Sequence, residues 1–158
     1  MRSKTKSLYR LIGAFRVSFN RLKGMAEELH RDLGVNVSMR GVMESLADEG
    51  AKTVPSIARE KGVSRQHIQV NVDALLNDGM VEARDNPAHQ RSPLITLTEK
   101  GKQIFAEARR REAEVLKSLA HGLEPKALSD AAIVLETLND RLIEHERKRS
   151  DDDNDNDA

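Results

Sequence analysis

The sequence predicts a mainly α-helical fold with one small β-hairpin, and three observations carry that expectation. Apolar residues recur at helical spacing through most of the 158 residues. Ser, Thr, Pro and Gly punctuate residues 38–79 where short helices would start and stop. Only residues 80–97 break the rhythm, with two short apolar segments around a loop holding Pro87 and Pro93.

Residues 8–33 read as one long helix. Leu8, Ile12, Phe15, Phe19, Leu22, Ala26, Leu29 and Leu33 are spaced 4, 3, 4, 3, 4, 3, 4, a heptad seam that suits a helix packed lengthwise on another helix. Gly34 is the expected stop, since glycine accepts the left-handed conformation that closes a helix. Ser38 is placed to cap a second helix, with Val42, Met43 and Leu46 inward and Gly50 at its end. A short third helix follows Thr53, with Pro55 in its first turn, where a missing N–H costs nothing. Ile57 and Ala58 face inward and Gly62 ends it. Ser64 then caps a fourth helix that runs to about Asp78 and stops at Gly79.

Met80 to Arg84 reads as a short strand, Asp85 to Pro93 as a turn-rich loop, and Leu94, Thr96 and Leu97 as a returning strand. Thr98 is the cap of a fifth helix reaching about Ala120, with Ile104, Phe105, Ala108, Leu116 and Leu119 apolar. Gly122 breaks it. Pro125 opens a sixth helix with one stripe of Leu128, Ala131, Leu135, Leu138 and Leu142. From Arg149 to Asp157 no apolar residue occurs, and this acidic stretch is expected to be disordered.

Composition narrows the function. Cysteine is absent, which excludes disulfides, thiol redox sensing and Cys-type zinc sites. No apolar run approaches the length of a membrane span and no signal peptide is evident, so a cytoplasmic home without a membrane partner is the expectation. The formal net charge of zero conceals an asymmetry. Without Asp151 to Ala158, which hold five Asp, 26 basic residues face 21 acidic ones, a net of +5. Residues 1–23 contain seven Lys or Arg and no acid. A basic body with an acidic tail suits a polyanionic partner.

Residues 53–79 have helix-turn-helix spacing. The turn Gly62-Val63-Ser64 is short, and Ala58 is small enough for two helices to cross closely. On the fourth helix Ile68, Val72, Leu75 and Leu76 take the inner face; Arg65, Gln66, Gln69 and Asp73 take the outer one. Arg and Gln are the side chains that pair bidentately with guanine and adenine edges in the major groove. Ser64 and His67 at the same end join them as candidate DNA contacts. The loop 85–93 would be a wing, with Arg91 able to enter the adjacent minor groove, and Arg84 and His89 able to meet phosphates.

Here the residues resemble a known family. The strings Thr53-Val54-Pro55-Ser56-Ile57-Ala58, Gly62-Val63-Ser64-Arg65-Gln66, Val72-Asp73-Ala74-Leu75-Leu76, Gly79-Met80-Val81, Asn86-Pro87, Arg91-Ser92 and Leu97-Thr98-Glu99-Lys100-Gly101 are similar to the MarR family of regulators, over residues 37–101. The resemblance implies a winged helix-turn-helix with a helical dimerisation region built from the first, fifth and sixth helices. It implies a homodimer that binds a pseudo-palindromic double-stranded DNA operator, usually as a repressor, and is released by a small aromatic or phenolic effector. Many members carry an Asp two residues before the wing arginine; His89 stands there in this chain and cannot brace Arg91 as an anion.

The expected organisation is a dimerisation helix at 1–36, a winged helix-turn-helix at 37–101, C-terminal dimerisation helices at 102–148 and a disordered acidic tail at 149–158. Arg16 and His30 are candidate borders of an effector cavity beneath the DNA-binding lobe. The five histidines, His30, His67, His89, His121 and His145, lack the helical spacing of metal ligands and are expected at the surface or an interface. No phosphate loop, nucleophile elbow or pair of catalytic carboxylates is present, so neither an enzyme nor a cofactor is expected. The alternative reading is a winged helix used for protein interaction or assembly, since one fold serves several functions.

Overall fold

Local signals set most element boundaries. In the computed structural model, which describes residues 2–88 and 91–155, the order is α1 (Arg2–Leu29), a 3-10 turn (Arg31–Leu33), α2 (Val37–Glu49), α3 (Val54–Lys61), α4 (Arg65–Asn77), β1 (Val81–Arg84), β2 (Leu94–Leu97), α5 (Glu99–Leu119) and α6 (Pro125–Asp155). The chain forms two units, one through Val115 and one from Leu116.

In the first unit, Thr53 caps α3 by accepting the Ser56 N–H, and Gly62 closes that helix in the left-handed region at φ 64°. Ser64 caps α4 by accepting the His67 N–H at 3.1 Å. The cap of α2 is Asn36, whose Oδ1 accepts the Met39 N–H at 2.9 Å, and not Ser38. Asn and Ser are equally good caps, and the earlier one starts the helix two residues sooner, with Met39 buried in its first turn. The long first helix also differs from expectation: it ends at Leu29, and Gly34 closes the 3-10 turn instead. Leu33 continues the apolar seam in sequence without continuing the helix.

The core lies among α2, α3, α4 and the hairpin, with Val42, Met43, Ile57, Val72, Leu75 and Ile95 fully enclosed. Each such aliphatic side chain stabilises the fold by about 1.5–3 kcal/mol relative to exposure. On α4 the buried set is Ile68, Asn71, Val72 and Leu75. Leu76, expected inward, is 36% exposed, because its position on the helical wheel lies toward the wing side of the buried arc. Asn71 tolerates burial because its amide donates to the His67 carbonyl at 2.7 Å.

β1 and β2 pair antiparallel with Val81 opposite Leu97 and Ala83 opposite Ile95. Lys52 adds a one-residue bridge on the other edge of Ile95, exchanging both backbone hydrogen bonds with it at 2.8 and 3.0 Å. The segment Thr98 to Gly101 locks α5 onto this hairpin. Thr98 Oγ1 donates to the Gly79 carbonyl at 2.7 Å and accepts the Gly101 N–H at 3.1 Å; Lys100 Nζ donates to the Asp78 carbonyl at 2.6 Å. Gly101 is buried against Met80, so close that a Cβ would stand 1.9 Å from the Met80 carbonyl oxygen.

In the second unit, Gly122 at φ 77° ends the turn after α5, and Pro125 opens α6. The stretch expected to be disordered from 149 is instead helical through Asp155. No Gly or Pro interrupts the sequence after Pro125, so nothing in the chain forces the helix to stop earlier. Residues 156–158 lie outside the described residues. No described helix is long and apolar enough to cross a membrane.

Candidate nucleic-acid interface

The turn Gly62-Val63-Ser64 sets α4 across α3. Gly62 leaves α3 in the left-handed conformation, the Val63 N–H donates to the Ala58 carbonyl at 3.1 Å, and Ser64 starts α4 at once. With Ile68, Asn71, Val72 and Leu75 turned into the core, Arg65, Gln66, Gln69 and Asp73 are left exposed. Gln69 is not free: its amide nitrogen donates to Asp73 Oδ1 at 2.7 Å, one helical turn on. Asp73 thereby fixes which edge of the Gln69 amide faces outward, leaving its carbonyl oxygen as the available acceptor. Among the described residues, no hydrogen bond or ion pair holds Arg65, Gln66 or Arg91.

The wing is braced by Asn86. Its amide donates to the Ser92 carbonyl at 2.8 Å across the loop, and its Oδ1 accepts the Ala88 N–H at 3.1 Å. This accounts for Asn86-Pro87 in physical terms, because one side chain ties both limbs of the loop. Arg84 is paired with Glu82 at 2.6 Å on the solvent face of β1. The pair is exposed and contributes only about 0–1 kcal/mol, so Arg84 can exchange Glu82 for a phosphate at little cost. His89 lies outside the described residues.

α4 and the wing enclose a cleft of about 380 Å³. Arg65, Gln66 and Gln69 line one wall and Arg91 the other, over an apolar floor that includes Val72, Leu76 and Ile95. Leu76 is therefore floor rather than core. Four sequence-predicted residues thus meet in one place, with no acidic side chain among the described lining residues. Ser64 serves as the cap, and His67 is exposed at the start of α4 outside the cleft lining.

A second feature was not legible in the sequence. A chain of ion pairs connects the end of α1 to the winged core. Arg111 of α5 grips Asp32 through both carboxylate oxygens at 2.6 and 2.9 Å and donates to the Leu29 carbonyl at 3.0 Å, covering the exposed end of α1. Its hydrogen bond holds the Asp32 carboxyl below its ordinary range. Arg40 of α2 forms a two-bond fork with Glu112 at 2.8 and 2.6 Å and pairs with Glu44 at 2.7 Å. Glu44 continues to Lys61 at 3.2 Å, and Glu60 beside it accepts from Lys52 and Ser45. Burial alone would raise the Glu60 carboxyl, but the hydrogen bonds from Lys52 and Ser45 outweigh it and bring it down to about 2.

His30, expected at the surface or an interface, sits at this junction and is fully buried within the single chain. Its Nε2 is 3.1 Å from Glu112 Oε1, but off the line of a hydrogen bond, and neither ring nitrogen has a hydrogen-bond partner. Burial lowers its pKa; Glu112 and Asp32 oppose this, and Arg40 and Arg111 reinforce it. His30 is thus neutral packing under an ion-pair layer. Arg16 is exposed on α1. At 1.5 Å per residue the two are separated by about 21 Å along the helix axis, so one chain does not bring them into a common cavity. Among the described residues, no cluster of three potential metal ligands occurs.

No protein-family model matches the chain. It is 39% identical over 84 residues to uncharacterized proteins of Mycobacterium tuberculosis and Mycobacterium bovis, covering 53% of this chain and 59% of theirs. The chain thus spans less than two thirds of the length of the curated relatives it matches. Among solved structures, a MarR family transcription regulator superposes with a TM-score of 0.77 and 26% identity, over 91% of this chain and 95% of that one. The repressor CouR bound to a 23-mer DNA duplex gives 0.74 at 22% identity, over 84% and 94%. Staphylococcus aureus MarR in complex with salicylate and kanamycin gives 0.76 at 12% identity, over 89% and 96%. The last two likenesses speak to the fold alone. The near full-length match to the first, together with the helix-turn-helix, the braced wing and the Thr98–Gly101 lock, gives the chain the winged-helix fold seen in MarR family transcription regulators.

Proposed function

We propose that this chain is a sequence-specific double-stranded DNA-binding regulator that acts as a homodimer on a pseudo-palindromic operator. The observation that carries the reading is the convergence of Arg65, Gln66, Gln69 and Arg91 on one cleft free of acidic side chains among its described lining. Arg and Gln on a helix suit base edges in the major groove, and an arginine on a hairpin suits the narrow, electronegative minor groove beside it. The DNA-bound state of CouR supports this use of the fold. A purely assembly-type winged helix has no need of Arg65, Gln66 and Arg91 left unpaired beside one another.

The dimer is supported by α1. Its seam residues Leu8, Phe15, Phe19 and Leu22 are 40–52% exposed in the single chain. Apolar heptad seams of this kind are covered by a second helix. We further propose repression relieved by a small aromatic or phenolic effector, supported by the salicylate complex of the Staphylococcus aureus protein.

Selection from a random duplex pool, with sedimentation at low micromolar concentration, tests the reading. The expected outcome is a dimer that enriches two half-sites about 10 bp apart. A folded monomer, or a pool without enrichment, overturns it.

A further inference from the structure

The outward ridge of α4 carries one residue that the polar reading passes over. Val70 is 62% exposed, on a helix whose other valine, Val72, is fully buried. Ile68, Asn71, Val72 and Leu75 define the inner arc. At 100° per residue, Val70 points within about 30° of the opposite direction, and Gln66 lies closer still. Gln66 and Val70 are four residues apart and so stack on one ridge, with about 5–6 Å between their Cβ atoms. Asp73 flanks Val70 one turn on, and is occupied with Gln69.

A β-branched residue at an exposed helical position is a poor choice for stability. Valine is among the weaker helix formers, and its methyls gain nothing from water. The major groove, however, offers one apolar group, the C5-methyl of thymine. Valine suits that group, because its χ1 is already restricted in a helix and two methyls are presented with little entropy left to lose.

We propose that Val70 is a specificity-determining residue that reads a thymine methyl, within about two base pairs of the base read by Gln66, in each half-site. This rests on the DNA-binding reading above. Asp73, beside Val70 on the same face, is occupied by the Gln69 amide nitrogen, and Gln69 keeps its carbonyl oxygen for the cleft side of the helix.

Deoxyuridine differs from thymidine only in lacking the methyl, so it leaves every hydrogen-bonding group in place. The test uses the full chain and its selected duplex, with deoxyuridine replacing thymidine one symmetric pair of positions at a time. For the wild type, one pair weakens binding by roughly tenfold, from the loss of about one buried methyl contact per half-site. Val70→Ala binds the thymidine duplex more weakly by a similar factor and is indifferent to deoxyuridine at that pair. Thermal melting of Val70→Ala is unchanged or raised, since alanine is the better helix former at an exposed position. An enriched operator with no methyl-sensitive pair, or a Val70→Ala variant as methyl-sensitive as the wild type, overturns the proposal and leaves the DNA-binding reading intact. A pool that yields no operator overturns both.

Discussion

Replacing Gly101 with Ala tests whether the Thr98–Gly101 segment locks α5 to the hairpin. In an ordinary helix interior this substitution stabilises, by about 1 kcal/mol, because alanine loses less backbone entropy than glycine. Here the added Cβ would stand 1.9 Å from the Met80 carbonyl oxygen and 3.2 Å from a Leu97 methyl. The neighbour at 1.9 Å is backbone, so no side chain can rotate away; α5 or the β1 edge has to move by about 1.5 Å to reach the 3.4 Å of ordinary contact. The same Met80 carbonyl accepts the Thr98 N–H at 3.1 Å, and a shift of that size breaks the bond. Overpacking costs about 1–3 kcal/mol and the lost hydrogen bond about 1, against a helix-propensity gain of about 1, for a net destabilisation of roughly 1–3 kcal/mol. Gly41 is the internal control: it lies within α2 and a Cβ there meets nothing within 4 Å. Gly41→Ala is expected to raise stability by about 1 kcal/mol. Urea unfolding of both variants at one fixed protomer concentration reads the pair. Equal effects of the two substitutions would refute the close-approach argument.

Arg91→Ala is expected to weaken operator binding and to lower the slope of log affinity against log salt by about one unit, without changing the melting temperature; an unchanged slope removes the wing from the interface. His30 predicts a pH window. Its buried form has a lowered pKa, so the unfolded chain binds the proton first. The stability His30 contributes is present above its unfolded value of 6.5 and is lost as pH falls through the lower folded value. The slope in that window is at most about 1.4 kcal/mol per pH unit, and His30→Gln should flatten it in urea midpoints measured from pH 7.5 to 5. Superimposable pH profiles for the two proteins would show that His30 is not the group responsible.

Much of the winged core was legible because its signals are local. Thr53, Ser64 and Thr98 each cap the helix they announce, and Gly62 takes the left-handed turn expected of it. The caps are chosen by residues within three positions, so sequence suffices. The end of α1 was not legible, since Leu33 keeps the apolar spacing while the chain has already turned. The ion-pair layer was invisible for a different reason. Arg40 and Glu112 are 72 residues apart, and Arg111 and Asp32 are 79 apart, so only the packed fold brings them together. His30 is buried by that same assembly. Four of the cleft residues, Arg65, Gln66, Gln69 and Arg91, declare themselves by their hydrogen-bonding chemistry; Val70 has no polar group to mark it, although the helical period places it beside Gln66.

The central claim is that the exposed face of α4 reads base sequence. Affinities of the wild type, Arg65→Ala and Gln66→Ala, each for the selected operator and for random duplex at one salt concentration, test it most directly. The account predicts that each variant loses about 1–3 kcal/mol on the operator and little on random DNA, so that the specificity ratio collapses. Equal losses on both duplexes would contradict it, by showing that these side chains meet phosphates and that sequence is read elsewhere.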